Sequence, residues 1–499
     1  METVFTDRAT SHIHSTRPSW VLACERTQLL TLLQQAATRA QQQQQNIFTA
    51  LTLPVESRDA LHIFSALQVL ELGERFFWEK PASNEALVGV GAVLTIAADD
   101  ADRFDVAARA LSTFQDTCLV ATTVPMKRVP APALFGGFAF DPQRPGTQLW
   151  QGFPAGLLTL PQLLYRLDDD QASLSIHACI RPQMTEDDLE QQVTETLALL
   201  QRLSAIVEHF PFQRLQELST QTTSMPKHEV LPAQQWISIV AQAVEQMRQG
   251  AYQKIVLARA VEVLHPEGVF DVETTLYRLR QSYPDTFVFA LQRGKHYFVG
   301  ATPERLVSAQ EGRMRTMALA GSAPRGHTLA EDEYISQQQL YGNKTRQEHQ
   351  FVIDLIRESL SELCNQIEIG EQPHVRKLKN IQHLETSIEG RLKPGHNLLE
   401  AVARLHPTPA VGGLPREIAL KEIRDHEELD RGWYASPLGW IDTRGNGEFA
   451  VALRSALLTG AKATLFAGNG IVASSDPEAE YTETNWKLPV MLRSLGDEE

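Results

Sequence analysis

Two apolar runs, TFVFALQ and HYFVGAT, sit on either side of Arg293-Gly294 with only a short polar turn between them. Hydrophobic runs so close together, joined through a glycine, predict an antiparallel hairpin. A chain built on adjacent hairpins is steered away from the parallel βαβ architectures. The surrounding sequence agrees. ALVGVGAVLTIAA, LFGGFAFD, QASLSIHACI and KIVLARAVEVL read as strands, whereas ADRFDVAARALSTFQ, EDDLEQQVTETLALLQRLSAIVEHF, QWISIVAQAVEQMRQG and VETTLYRLRQS carry apolar residues at helical spacing. The expectation is an α+β fold with antiparallel sheets. Gly136 and Gly137, inside an aromatic strand, predict a close backbone approach or a bulge.

The polar stretch TQTTSMPKHEVLPAQQ, at about 219–235, marks an internal boundary. It divides the chain into an N-terminal extension (1–60), an N-terminal half (61–230) and a C-terminal catalytic domain (231–495). The extension carries a helix that ends in a glutamine run at 41–45. No repeat period, GxGxxG or GxxxxGK[ST] is present, so solenoids and nucleotide-binding loops find no support. Forty-six Lys and Arg against 61 Asp and Glu leave a net charge of −15, which argues against nucleic acid or an anionic membrane as partner. A bound anion would then need a local positive cluster or a cation. No apolar run approaches the roughly 20 residues that span a bilayer. The four cysteines are widely spaced and read as unpaired thiols of a reducing compartment. METVFTDRATSHIHS lacks a secretory apolar stretch, and Glu2 and Asp7 weigh against an organelle signal. A cytoplasmic protein is expected.

Lys254 opens KIVLARAVEV on the face that alternation also gives to Val256, Ala258 and Ala260. There it is either a snorkelling strand-end lysine or a desolvated base. Glu304, in GATPERL, follows a strand at a point stiffened by Pro303, and is either a solvated turn residue or a proton donor. In FAGNGIVASSDPEAEYTETNWKL, Asp476-Pro477 predicts a helix start, and Glu480, Glu483 and Lys487 then fall on one helix face. Such a face is a salt-bridge ladder or the seat of a hard cation such as Mg²⁺. The Gly468-Asn469-Gly470 segment reads as a turn whose bare N–H groups suit an anion. Glu348 lies near the beginning of a half-buried helix. Arg454 reads as the end of the strand EFAVALRSALL, beside Ala450 and Ala452, where it could grip a carboxylate or serve a structural ion pair. His383 and His406 lack metal-ligand spacing and read as structural.

Together these segments resemble the chorismate-utilising enzymes, and among them the isochorismate synthases. KIVLAR, GATPERL, ALAGSAPRG, NKTRQEHQFVID, HLETSIEGRL, LHPTPAVGG, DRGWYASPLGW, ALRSA and AGNGIV…PEAEYTETNWKL follow the family's order over about 250 residues, and FGGFAFD extends the likeness toward the N-terminus. The resemblance implies two largely antiparallel sheets packed together with helices on the outside. It also implies a monomeric enzyme with chorismate as substrate and Mg²⁺ as cofactor. Lys254 matches the water-activating lysine and Glu304 the acid that protonates the departing C4 hydroxyl. Glu348 and Glu483 match the metal ligands, with Glu480 beside them. Tyr434, Arg454, Lys487, Gly468 and Gly470 match the cradle for the substrate carboxylates, and Ser322 and His383 line the ring pocket. Ala320 stands where aminodeoxychorismate synthases carry a lysine nucleophile. Thr345 departs from the acidic residue that many relatives have one turn before the metal glutamate. The lysine at 254 points to water as nucleophile, away from an ammonia-using anthranilate synthase component I, which would need a glutaminase subunit. Salicylate synthases, which go on to eliminate pyruvate, share that lysine and are the alternative. A scaffold on a decayed enzyme fold would require an emptied site. Quinone, siderophore and salicylate pathways are all open to the product.

Overall fold

In a computed structural model the chain is described over residues 26–498, apart from 124–129, 144–145, 170, 211–212, 267, 327 and 378–380. The N-terminal segment read for targeting signals, with Cys24, lies outside these residues. Two large sheets form the architecture. Thirteen strands among the described residues make the first, running from Lys227–Glu229 and Lys254–Leu264, the latter also paired with Gly413–Leu414, through Lys462–Val472, Ser455–Thr459, His296–Thr302 and Phe287–Arg293. It continues into Arg75–Lys80, Glu85–Val90, Leu163–Asp168, Gln171–Ile180, Ile47–Val55 and Cys118–Thr122. The ten-stranded second sheet is centred on Ile381–Leu392, Arg313–Pro324, Arg305–Gln310, Gly447–Val451, Pro437–Asp442 and Ala133–Phe138. Pairing is antiparallel except where Ile47–Val55 meets Cys118–Thr122.

Alternation along the strands explains the layering. In RFFWEK, Phe76 and Trp78 enter the core shared by the two sheets, while Phe77 enters a second core under the helices. That second core is closed by Arg26–Gln43, Ala60–Gln68, Glu186–His209, Val272–Ser282 and Pro489–Leu495. Residues expected as an extension are therefore built into the fold, Ile47–Val55 being the penultimate strand of the first sheet. Every residue of Ile47–Val55 except Pro54 is buried, because sheet neighbours flank it on both edges and helices cover it.

Neither sheet stops at the polar boundary near 219–235. Phe287–Arg293 pairs with Arg75–Lys80 in the first sheet, and Pro437–Asp442 pairs with Ala133–Phe138 in the second. Both glycines permit a close approach, Gly136 to the neighbouring strand Gly156–Leu160 and Gly137 to the second seam. A Cβ on Gly136 would lie 1.9 Å from the Leu157 carbonyl oxygen, and one on Gly137 2.6 Å from that of Pro437. The hairpin turn is Gly294-Lys295, with Arg293 opposite His296. Cys118, Cys179 and Cys364 carry free thiols.

Candidate active site

Lys254 begins the strand Lys254–Leu264, opposite Val472 on one side and Leu414 on the other. Residues on both faces of this strand are buried, but an added Cβ at Gly468 would stand 3.3 Å from Ala258 Cβ and one at Gly470 would meet Lys254, so Lys254 and Ala258 share a face. The lysine side chain lies over Gly470, where an added Cβ would stand 2.8 Å from Lys254 Cε. Gly468-Asn469-Gly470 is not a turn. It belongs to the strand Lys462–Val472, in register with 256–258. Glycine is a poor strand former, and only a partner strand 200 residues away in sequence enforces the extended form. Val256 and Ala258 direct their N–H groups to the other edge, onto Gly412 O and Glu427. The pairs Val256↔Gly470 and Ala258↔Gly468 are therefore the non-hydrogen-bonded ones. The N–H groups of Gly468 and Gly470 point away from the lysine strand, toward an edge that Ser455–Thr459 covers only as far as Leu465.

Glu304 lies between His296–Thr302 and Arg305–Gln310, its carbonyl accepting from Val451 N at 2.9 Å and its own N–H facing Thr302 Oγ1 at 3.3 Å. Burial pushes its carboxyl up to about 7, against the opposing charges of Lys254 and Arg376. A half-buried glutamate that keeps its proton to neutral pH is a competent acid. Arg376, on His374–Lys377, donates to Glu385 at 3.0 Å. His383 sets Nδ1 3.2 Å from the Gly321 carbonyl oxygen. Burial pushes its pKa down to about 4, with Arg454, Lys487 and Arg376 acting in the same direction. The imidazole is neutral, so Nδ1–H donates and Nε2 is left as an acceptor. Ser322 lies opposite His383, just after a bulge at Gly321, whose φ is +75°. The side chains of Ser322 and Ala320 lie outside the described residues.

The helix Pro477–Lys487 starts as expected, with the Asp476 side chain accepting from Ala479 N at 2.9 Å. Lys487 pairs with Glu483 at 2.8 Å and donates to Gly468 O at 3.0 Å and to Asn469 Oδ1. Burial lowers its pKa against the pull of Glu483. The same Asn469 holds Glu480 through Nδ2 at 3.0 Å, and Ser475 Oγ donates to Glu480 at 2.7 Å. Burial raises the Glu480 carboxyl, and the Glu483 charge adds to the shift. Two carboxylates that repel each other in a half-buried place suit a hard cation, which needs one or two such groups plus water and ligand oxygens. Among the described residues no three acidic, His or Cys groups gather into a complete metal cage. Glu348 lies on the helix Asn343–Ser361, its side chain outside the described residues; its neighbour His349 meets Thr386 Oγ1 at 2.7 Å.

Arg454 is not a strand residue. The chain leaves the second sheet at Val451 and enters the first at Ser455, and Arg454, with φ +49°, occupies the crossing. Continuous alternation had merged two strands into one. Burial lowers its pKa, while Tyr434, Tyr283 and Glu483 act to raise it. Tyr434 is buried and stacked on Phe466 at 5.1 Å; an added Cβ at Gly468 would stand 3.3 Å from its hydroxyl. Burial pushes that phenol up to about 12, so it stays a neutral donor. His406 is structural: buried, with Nε2 3.2 Å from Phe140 O. Sequence reasoning did not single out Arg376, Asn469 or Arg259. Arg376 carries no motif. Asn469 sat in view between two glycines. Arg259 closes KIVLAR and binds Thr484 at 2.7 Å, Asn485 and Glu229 from a buried position.

Fold and site together are those of an enzyme acting on a small anion. The profile of the family described as chorismate binding enzyme matches residues 32–496, and the chain belongs to that family. It is 33% identical over 467 residues to isochorismate synthase MenF of Bacillus subtilis, covering 93% of this chain and 96% of that one. To the salicylate biosynthesis isochorismate synthase of Pseudomonas aeruginosa it is 36% identical over 463 residues, covering 93% of each. Its fold is similar to that of the menaquinone-specific isochorismate synthase MenF from Escherichia coli, with a TM-score of 0.74 at 24% identity, over 94% of this chain and 100% of that one. Among the described residues no helix is long and apolar enough to cross a membrane.

Proposed function

We propose that the chain is a magnesium-dependent isochorismate synthase, converting chorismate to isochorismate. The carrying observation is Glu304, whose carboxyl is held near 7 by burial although Lys254 and Arg376 both oppose the shift. Lys254 takes a proton from water, whose oxygen bonds to ring carbon C2. The two ring double bonds shift and the C4–oxygen bond breaks, with Glu304 giving its proton to the departing hydroxyl. One water enters and one leaves, so the reaction is an isomerisation. Tyr434 and the N–H groups of Gly468 and Gly470 bind the substrate carboxylates, and the Arg454 guanidinium grips one of them through paired hydrogen bonds. His383 and Ser322 line the ring pocket, the neutral imidazole offering an acceptor. Glu480, Glu483 and Glu348 are the groups that would hold Mg²⁺, which when bound supplies positive charge to a substrate carboxylate. Since water is the nucleophile, no glutaminase subunit is required, and we read the enzyme as a cytoplasmic monomer.

The test is incubation with chorismate and Mg²⁺ in ¹⁸O-water. Label in the new hydroxyl of isochorismate is expected. Unlabelled product, or none, sinks the reading, and release of pyruvate with salicylate would move the chain to the salicylate synthases.

A further inference from the structure

The strand that carries Lys254 has an incomplete outer edge. Lys227–Glu229 covers it at 261–263 and Gly413–Leu414 at 254–255. Among the described residues the stretch between has no partner strand, yet outward polar groups of Val256, Ala258 and Ala260 are met. Val256 N donates to Gly412 O at 2.8 Å, and Ala260 O accepts from Val230 N at 3.1 Å. Side chains do the rest. Ala258 N donates to Glu427 Oε2 at 2.7 Å, Arg431 Nη2 donates to Val256 O at 2.7 Å, and Trp236 Nε1 donates to Ala258 O at 3.2 Å.

Glu427 and Arg431 form a bidentate pair, Nε to Oε1 at 2.6 Å and Nη2 to Oε2 at 2.7 Å, with both side chains 3% exposed. The guanidinium also donates to Val411 O at 3.0 Å and lies 4.2 Å from the Phe140 ring centroid. The backbone of Arg431 accepts from Tyr434 N at 2.8 Å. A buried ion pair is a poor device for stability, because desolvation offsets its attraction. Here the pair does something a packed apolar side chain cannot: it bonds to the backbone two and four residues beyond Lys254, and ties that strand to the turn bearing Tyr434.

We propose that Glu427 and Arg431 are positioning residues for the water-activating lysine, substituting for a missing strand so that Lys254 and Tyr434 keep a fixed separation. The proposal rests on the isochorismate synthase reading. Neither residue touches substrate; each acts through the strand. A displacement of about 1 Å at a reacting group can cost about a hundredfold in rate, while an anion held by other elements is bound much as before.

Arg431→Lys and Glu427→Gln test this, with Trp236→Phe as a milder variant that keeps the packing and removes one bond. In Arg431→Lys and Glu427→Gln, kcat should fall about tenfold to a hundredfold. Chorismate affinity should change much less. Amide hydrogen exchange at 256–260 should quicken while that at 456–466 stays at the wild-type rate. Trp236→Phe should move the same quantities in the same direction by less. Wild-type kcat in all three variants, binding lost in step with kcat, or exchange unchanged at 256–260 overturns the proposal. A general rise in exchange across the sheet assigns the pair to stability and also overturns it. If the wild type makes no isochorismate, the functional reading falls, while the exchange experiment still reports on the strand.

Discussion

At Glu304 the folded chain holds a carboxyl whose ordinary value is 4.5 but which ionises at about 7. For the acid role proposed for Glu304 the protonated form is the useful one, so kcat/KM should fall as pH rises through about 7, the limb belonging to the free enzyme's acid. The linkage has a definite sign. Burial disfavours the ionised form, so the folded state gives up roughly 3 kcal/mol between pH 4.5 and 7 as the unfolded chain ionises first. Glu304→Gln should therefore abolish turnover, melt above the wild type at pH 8 and match it at pH 4. A variant that kept most of its activity, or was destabilised at pH 8, would remove Glu304 from the acid's role. Gly470 makes a second residue-scale case. An alanine methyl there meets the flexible end of Lys254 at 2.8 Å, and nothing rigid. Gly470→Ala should thus lower kcat about a hundredfold by displacing the amine, with a melting temperature close to wild type. Unchanged kcat would show that Lys254 does not work from this position.

Local signals made some elements legible and long-range ones hid others. The helix Pro477–Lys487 could be read with its cap and its polar face because Asp476, Pro477 and the spacing of Glu480, Glu483 and Lys487 are all within a few residues of one another. The strand containing Gly468-Asn469-Gly470 could not, since its conformation is imposed by 254–264. The change of sheet at Arg454 was invisible for the same reason: alternation continues through it although the partners change. Among the groups that join helix to strand is Asn469, 2% exposed, which holds the Glu480 carboxylate and backbone together with Lys487. Removing a residue that orients metal ligands typically costs about tenfold to a hundredfold in metal affinity. In Asn469→Ala, the Mg²⁺ concentration giving half-maximal thermal stabilisation should rise by about that factor, and in Glu483→Ala the stabilisation should vanish. An Asn469→Ala titration that overlays the wild type would free the helix face from any dependence on that side chain.

Seen whole, the molecule is two sequence halves that share both sheets, and the polar stretch near 219–235, although largely exposed, is tied in by the edge strand Lys227–Glu229 and the buried Met225. At that stretch Thr223 N donates to Gly496 O at 2.9 Å, and Arg278 donates to the carbonyls of Leu218, Ser219 and Gln221. Far more is buried where aromatic rings from the two halves meet. Trp78 stacks on Phe287 at 5.2 Å, Trp150 on Phe466 at 5.6 Å, and Phe153 abuts both Phe298 and Trp433. Each such ring withdrawn from water contributes about 2 kcal/mol, so exposing the set would cost on the order of the whole net stability of about 5–15 kcal/mol. Cutting the seams would also leave the open edges of Phe287–Arg293 and Pro437–Asp442 to pair with other chains. The segment 231–499 produced alone, though it carries every residue assigned to the site, should show no cooperative thermal transition and no Mg²⁺-dependent stabilisation. Co-expression with 1–230 should restore both. A cooperative melt of the isolated segment would mean that the shared sheets are a contact between two units that fold apart, and that the aromatic seam contributes far less than its burial implies.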